Sequence, residues 1–294
     1  MTLEALTKRI KTTTDLKDIV GTMKMLSSVS IAPYEKALKS LRRYGQTVQD
    51  AFVGLLKEEN FIYQPRPIKS STPQTVAIII GTDNGLVGRF NRDVLSFAES
   101  DLRGKGCLDQ TTFICVGKRL GLMADSAKFP LAATYAIMNS LKEIASIASM
   151  VLMKVNEVIQ ARKAEQVLIY FMQRKTGESQ KPVILQLMPL PYRDMMRFKA
   201  EKWTGKTPPL ITADYDALFS SLIHEYLTVV LSGALTASLA AEHYTRLLNM
   251  QQAEKNIDDS LTEMNLTYQQ MRQTGITDEL IDIVSGAESL KKKR

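Results

Sequence analysis

From Asp214 to Leu290 the chain contains no proline and reads as one helical stretch, the last proline being Pro209. At about 1.5 Å of rise per residue, such a helix would run on the order of 110 Å. The core of a chain this size needs no rod of that length, so a coiled coil or an element that transmits position or force is implied. The distal half carries the matching repeat. Leu247, Glu254, Leu261 and Tyr268 form one seam position, and Met250, Ile257, Met264 and Met271 form the other. Glu254 is the one exception to an apolar seam with the 3.5-residue period of a left-handed coiled coil.

The partner within the same chain is the other end. Thr2 to about Asn60 also reads as helix, with Leu3, Leu6, Ile10, Leu16, Ile19, Val20, Met23 and Leu26 recurring at three- and four-residue steps. Pro33 removes an amide donor and crowds the preceding turn, which predicts a kink or break near Val29 to Ala32. Asn60 to Gln74, with Pro65, Pro67 and Pro73, reads as a linker. The middle, 75–209, changes character. Val76–Ile80, Thr111–Val116, Val167–Met172 and Val183–Met188 are apolar runs of strand length, and Asn91–Leu102 and Ser140–Lys163 carry helical patterns. The expected fold is therefore α/β plus long helices: an antiparallel coiled coil of the N- and C-terminal helices (1–60 and 210–290), with a small, largely parallel α/β domain (75–209) inserted between them.

Composition narrows the function. A hydrophobic fraction of 45% argues against wholesale disorder, and the net charge of +7 owes part of its excess to the terminal Lys291–Arg294, read as a solvated end. No recognition helix, zinc spacing or aromatic–basic interleaving suggests nucleic acid. Cys107 and Cys115 are too few for a disulfide framework and fit a reducing compartment. No apolar run reaches the roughly 18 residues of a spanning helix, so attachment to a membrane is expected only through partners.

The most chemical-looking segment is the loop Gly81-Thr-Asp-Asn-Gly-Leu-Val-Gly-Arg-Phe-Asn91. It stands between strand and helix, where phosphate loops occur, yet it lacks the Lys-Ser/Thr pair and GxGxxG spacing. A tight turn for strand–helix packing is the plainer reading; a nucleotide-binding α/β protein with a helical oligomerisation arm is the alternative. His224-Glu225 begins a zincin-like motif that Thr228 breaks. Asp214 and Asp216 precede the long helix and suit capping. No catalytic, metal or cofactor constellation emerges.

With both ends in view, the chain resembles the gamma subunit of F-type ATP synthases over nearly its whole length, as a divergent or alternative branch. The resemblance rests on Leu239-Ala-Ala-Glu-His243, Arg246, Met250, Asn256, Tyr268, Arg272-Gln273, Ile276–Leu280 and Ile283–Ala287. Arg9-Ile10, Ile19 and Thr22–Leu26 carry it at the other end, with the glycine loop and Leu187–Leu190 between. Ser30, Pro33, Val87 and Arg89 depart from the family pattern. The resemblance implies a non-catalytic rotor shaft without a cofactor. It implies alpha, beta and epsilon subunits and a c-ring as partners, on the cytoplasmic face of the cell membrane. It assigns contacts with the beta subunit to Met23, Arg272, Gln273, Thr277, Glu279 and Asp282.

Overall fold

The computed structural model describes residues 2–58, 68, 70, 72–137, 140–174, 180–190, 192–201, 203, 207 and 210–291, with the side chains of 192–194 and 286–291 excepted. Pro65 and Pro67 of the expected linker and the basic residues 292–294 lie outside that set. The chain divides into two compact units, residues 29–245 and residues 1–28 with 246–294.

The larger unit is built on a five-stranded sheet of order β3-β2-β1-β4-β5. The strands are β1 (Thr75–Ile80), β2 (Thr111–Val116), β3 (Leu131–Tyr135), β4 (Gln166–Gln173) and β5 (Lys181–Met188). β1, β2, β3 and β4 are parallel, and β5 returns antiparallel along β4. β1 and β2 are buried at every residue, which is why they read as unbroken apolar runs and not as alternating patterns. One face carries α2 (Phe90–Gly104) and α3 (Lys118–Ser126), whose Phe90, Val94, Leu102 and Leu120 pack on Ala77, Ile79, Phe113 and Tyr170. The other face takes α4 (Leu141–Arg162) and α5 (Tyr192–Ala200), together with the later part of α1 (Leu3–Leu56) and the earlier part of α6 (Tyr215–Lys291). There Phe52, Phe198, Leu231 and Leu235 pack over Ile78, Ile114 and Ile169.

Within this unit the two long helices run in opposite senses. Tyr34 stacks on His243 with ring centroids 5.3 Å apart, and ten residues on, Tyr44 donates to Glu225 at 2.9 Å. Asp214 accepts from the Ala217 amide at 3.0 Å, so it caps α6 as its position suggested. α1 passes through Pro33 without interruption, so of the kink or break expected there the break does not occur. An interior proline costs roughly 3 kcal/mol; burial of Tyr34 at the next position supplies packing on the far side of the lost hydrogen bond.

The smaller unit pairs the beginning of α1 with the end of α6. Val20, Met250 and Ile257 form its buried core, with Met23, Ala253 and Leu261 half-buried around it. Lys17 Nζ meets Asp258 Oδ1 at 2.6 Å and Lys24 Nζ meets Glu254 Oε2 at 2.5 Å. The pairing is antiparallel here too. Glu254, the odd residue of the heptad, stands in the seam because α1 places Lys24 opposite it.

The seam on α6 matches the repeat: Leu247, Met250, Glu254, Ile257, Leu261, Met264, Tyr268 and Met271 are all buried or half-buried. The face on α1 differs from expectation. Leu16, Ile19 and Leu26 are exposed, and the inward positions are Leu6, Ile10, Thr13, Lys17, Val20, Lys24 and Ser27. These recur at strict alternating steps of three and four, but several are polar, so the apolar pattern pointed to the neighbouring stripe.

Candidate partner-contact site

α6 outlasts its partner. Leu3, the first residue of α1, stands fourteen positions before Lys17, and Arg272 stands fourteen after Asp258. In an antiparallel pair with that register, α1 has nothing left to offer beyond Arg272. The burial pattern agrees: Met271 is the last half-buried residue among those described, and every residue from 272 to 285 is exposed.

This unaccompanied segment is two-faced. At 100° per residue, Ile276, Leu280, Ile283 and Val284 share an arc of about 100°, while Asp278, Glu279 and Asp282 lie together on another side. The apolar members are 49–68% exposed and lie side by side, the pattern of a surface that meets a partner. Arg272 and Thr277 flank the apolar arc on its two sides, and Gln273 lies within it, one turn before Ile276. Thr277 Oγ1 donates to the Gln273 carbonyl at 2.9 Å, tying that turn together. The structure therefore brings Arg272, Gln273, Thr277, Glu279 and Asp282 onto one exposed stretch of helix. Met23 is apart from them, half-buried against Val20 and Met250.

Elsewhere the chemistry is structural. In the glycine loop, Asn91 Oδ1 accepts from the Thr82 amide at 2.9 Å and Asn91 Nδ2 donates to Thr82 Oγ1 at 3.0 Å. Asp83 accepts from the amides of Lys118 and Ile137, at 2.5 and 3.0 Å. Its carboxylate thus occupies the start of α3, where a phosphate would sit. Gly81 and Gly117 are the close-approach positions: a methyl on Gly117 (φ 123°) would lie 2.8 Å from the Thr82 amide nitrogen. A cavity of about 470 Å³ between α1, α6 and β4 is floored by Gly233, Ala234 and Ala237 and contains no nucleophile–base pair. His224 is exposed, and His243 is buried on Tyr34. No cluster of His, Cys, Asp and Glu that could hold a metal occurs among the described residues. Burial pushes the Cys115 thiol up to about 12, a packed group and not a reactive one.

Paired long terminal helices, a sheet domain inserted between them in sequence and an unaccompanied helical end together define a stalk-type protein. Comparison with known proteins gives the particular kind. The ATP synthase family matches residues 2–290. The ATP synthase gamma chain of Staphylococcus epidermidis is 24% identical over 299 residues, covering 98% of this chain and 99% of its own. That of Trichlorobacter lovleyi is 27% identical over 294 residues, with the same coverage. Among solved structures, a chain of the Euglena gracilis mitochondrial ATP synthase, OSCP/F1/c-ring, aligns with TM-score 0.66 at 16% identity, covering 98% of this chain and 94% of that one. A chain of the Tetrahymena thermophila central stalk/c-ring aligns with TM-score 0.55 at 19% identity, covering 80% and 99%. The chain belongs to the ATP synthase family, as a gamma-type, central-stalk subunit.

Proposed function

We propose that the chain is the non-catalytic rotating shaft of an F-type ATP synthase, coupling ion-driven rotation to ATP synthesis or hydrolysis in a hexamer of alpha and beta subunits. In this reading the segments 1–60 and 210–290 are its arms and 75–209 its lobe. The lobe and the foot of the shaft engage an epsilon subunit and a c-ring, and the complex sits on the cytoplasmic face of the cell membrane. The observation that carries the reading is the abrupt end of the seam at Met271, followed by exposed turns with an apolar arc. An apolar arc on a single helix needs a surrounding surface to cover it. A shaft can shift nucleotide affinity in a neighbouring subunit only through contacts that differ between its states. A helix apolar on one side and acidic on another offers such a difference as it turns.

Arg272 and Gln273 are proposed as the contacts with the beta subunit. A guanidinium and an amide at the base of the arc can donate several hydrogen bonds to carboxylates or carbonyls. Glu279, Asp282 and Thr277 would follow on the next turns, and Met23 would contribute from the flank of the seam.

Arg272→Ala in the assembled complex provides the test. The variant chain should fold as the unaltered one does, because Arg272 is exposed and stands beyond the seam. ATP hydrolysis coupled to ion pumping should fall about tenfold or more, about 1.5–3 kcal/mol being the usual worth of a hydrogen bond to a charged group. Unchanged pumping and unchanged assembly would remove Arg272 from the contact. Failure of the full chain to co-purify with two kinds of nucleotide-binding subunit would overturn the shaft reading itself.

A further inference from the structure

On the larger unit, the outer side of the glycine loop presents a basic hollow that the packing does not use. A cavity of about 270 Å³ is walled by Gly85–Arg89 of the loop, by Arg92 of α2 and by Arg119 of α3. Three arginines thus line one small space, and all three are exposed. Arg89 reaches Asp93 at 3.5 Å along its own helix. No carboxylate lies within ion-pair distance of Arg92 or Arg119 among the described residues. The loop's own acid, Asp83, accepts from the amides of Lys118 and Ile137 and makes no ion pair with these arginines. The Arg119 guanidinium lies against the bare backbone of Gly85, where a methyl would come within 2.8 Å of Nη1.

Arg119 and Met123 also border a second, shallower hollow of about 580 Å³, lined by Leu122, Ser126 and Ala127. The two hollows adjoin across these shared walls, one basic and the other apolar. Leu122 is 70% exposed at the apolar end and Leu86 55% exposed at the basic end. The basic hollow is below the usual 300–1,000 Å³ of small-molecule pockets, so a nucleotide would not be enclosed. Guanidinium groups grip carboxylates through paired N–H donors, and exposed leucines beside them favour a ligand with apolar side chains as well. We propose that this surface docks an acidic segment of a partner protein, carboxylates on Arg92 and Arg119 and an adjoining apolar side chain on Leu122 and Met123. The inference does not depend on the beta-subunit contacts assigned to α6.

The test uses the full chain and a fluorescein-labelled dodecapeptide of alternating Glu-Glu-Leu repeats, titrated by fluorescence anisotropy. Binding should weaken about tenfold or more in the Arg92→Gln/Arg119→Gln variant, and about as much again when Leu122→Ser is added. It should be unchanged in Arg42→Gln, whose arginine lies in a different cavity. Circular dichroism melting should be the same for all the variants. No binding by the unaltered chain, or equal loss in the Arg42→Gln control, would overturn the proposal, since attraction to a basic chain would then be non-specific. Displacement by inorganic phosphate beyond that by chloride of equal ionic strength would also overturn it, in favour of a small-anion site. If peptide binding fails while co-purification with the nucleotide-binding subunits succeeds, the shaft reading stands and this one falls.

Discussion

Cys115 stands near the end of β2 with neighbours on both sides, Ile79 across from it on β1 and Thr134 on β3. Its thiol has no charged partner to stabilise a thiolate, and burial alone raises its pKa from 9.0 to about 12. The folded chain therefore holds this proton more tightly than the unfolded chain. The stabilisation is complete below about pH 9 and is lost as pH climbs toward 12, by up to about 4 kcal/mol over that range. Tyr170 is shifted in the same direction, first by burial and then by its hydrogen bond to Asp101, and adds to the slope from about pH 10 upward. Urea denaturation across pH 8 to pH 11 should show stability falling with pH, and Cys115→Ala should flatten that fall without abolishing it. An unaltered slope would mean that the thiol ionises as easily folded as unfolded.

Single residues also explain what could and could not be read from the chain. Asp214 announced its cap because an acid before a long proline-free run has few other roles. Asp83 did not announce itself: the loop around it reads as a tight turn, with nucleotide binding as the alternative, and only its bonds to two amides distant in sequence reveal a strut. Arg92 and Arg119 lie in separate helices and meet only through the packing of α2 beside α3.

Among the elements, the most legible are those whose burial is uniform, although β5 also reads as a strand while only partly buried. β1, β2 and β4 stood out as apolar runs, and α6 stood out through its length and repeat. β3 does not stand out because Leu131–Tyr135 is nowhere fully buried and its centre, Ala132-Ala133-Thr134, is small, so nothing in its pattern separates it from a loop. α3 was missed because Gly121 breaks its helical pattern; the glycine is there to let α3 approach Thr134, whose Cγ2 would stand 2.4 Å from an added methyl. The inward face of α1 was misplaced by one stripe for a related reason: Thr13, Lys17, Lys24 and Ser27 hold seam positions that hydrophobicity alone assigns to solvent.

That polar seam has a consequence for the element pair. Lys24 and Glu254 face each other half-buried, and a charged pair at a seam position fixes register more than it adds stability. Lys24→Glu should destabilise the pairing by setting two acids together, Glu254→Lys should do the same with two cations, and the combined reversal should recover most of the loss. A double-mutant cycle by chemical denaturation should give a coupling of about 0.5–1 kcal/mol. Additive single effects would show that the two groups do not sense each other. Lys17, whose hydrogen bond to Asp258 raises its pKa, keeps its charge throughout the physiological range, so the lysine end of the bridge is lost only at strongly alkaline pH.

For the molecule as a whole, the useful distinction is between residues that hold it together and residues left for something else. Removing everything after Arg272 takes away no buried residue among those described. The shortened chain should therefore melt within a few degrees of the full one, as expected for surface changes of about 0.5 kcal/mol. Its assembly with nucleotide-binding subunits, or the coupling of the assembled complex, should nevertheless suffer clearly, as judged by co-purification and pumping assays. A large drop in melting temperature would show that the last turns belong to the fold.

Those last turns set a practical condition on handling the protein alone. Greasy side chains held in water on an unsupported rod invite proteases and self-adhesion. Arg272 offers trypsin a cleavage point at the threshold of that stretch. Preparations of the lone subunit will therefore tend to lose their ends first, and the intact tail is best preserved by making the chain together with whatever encloses it.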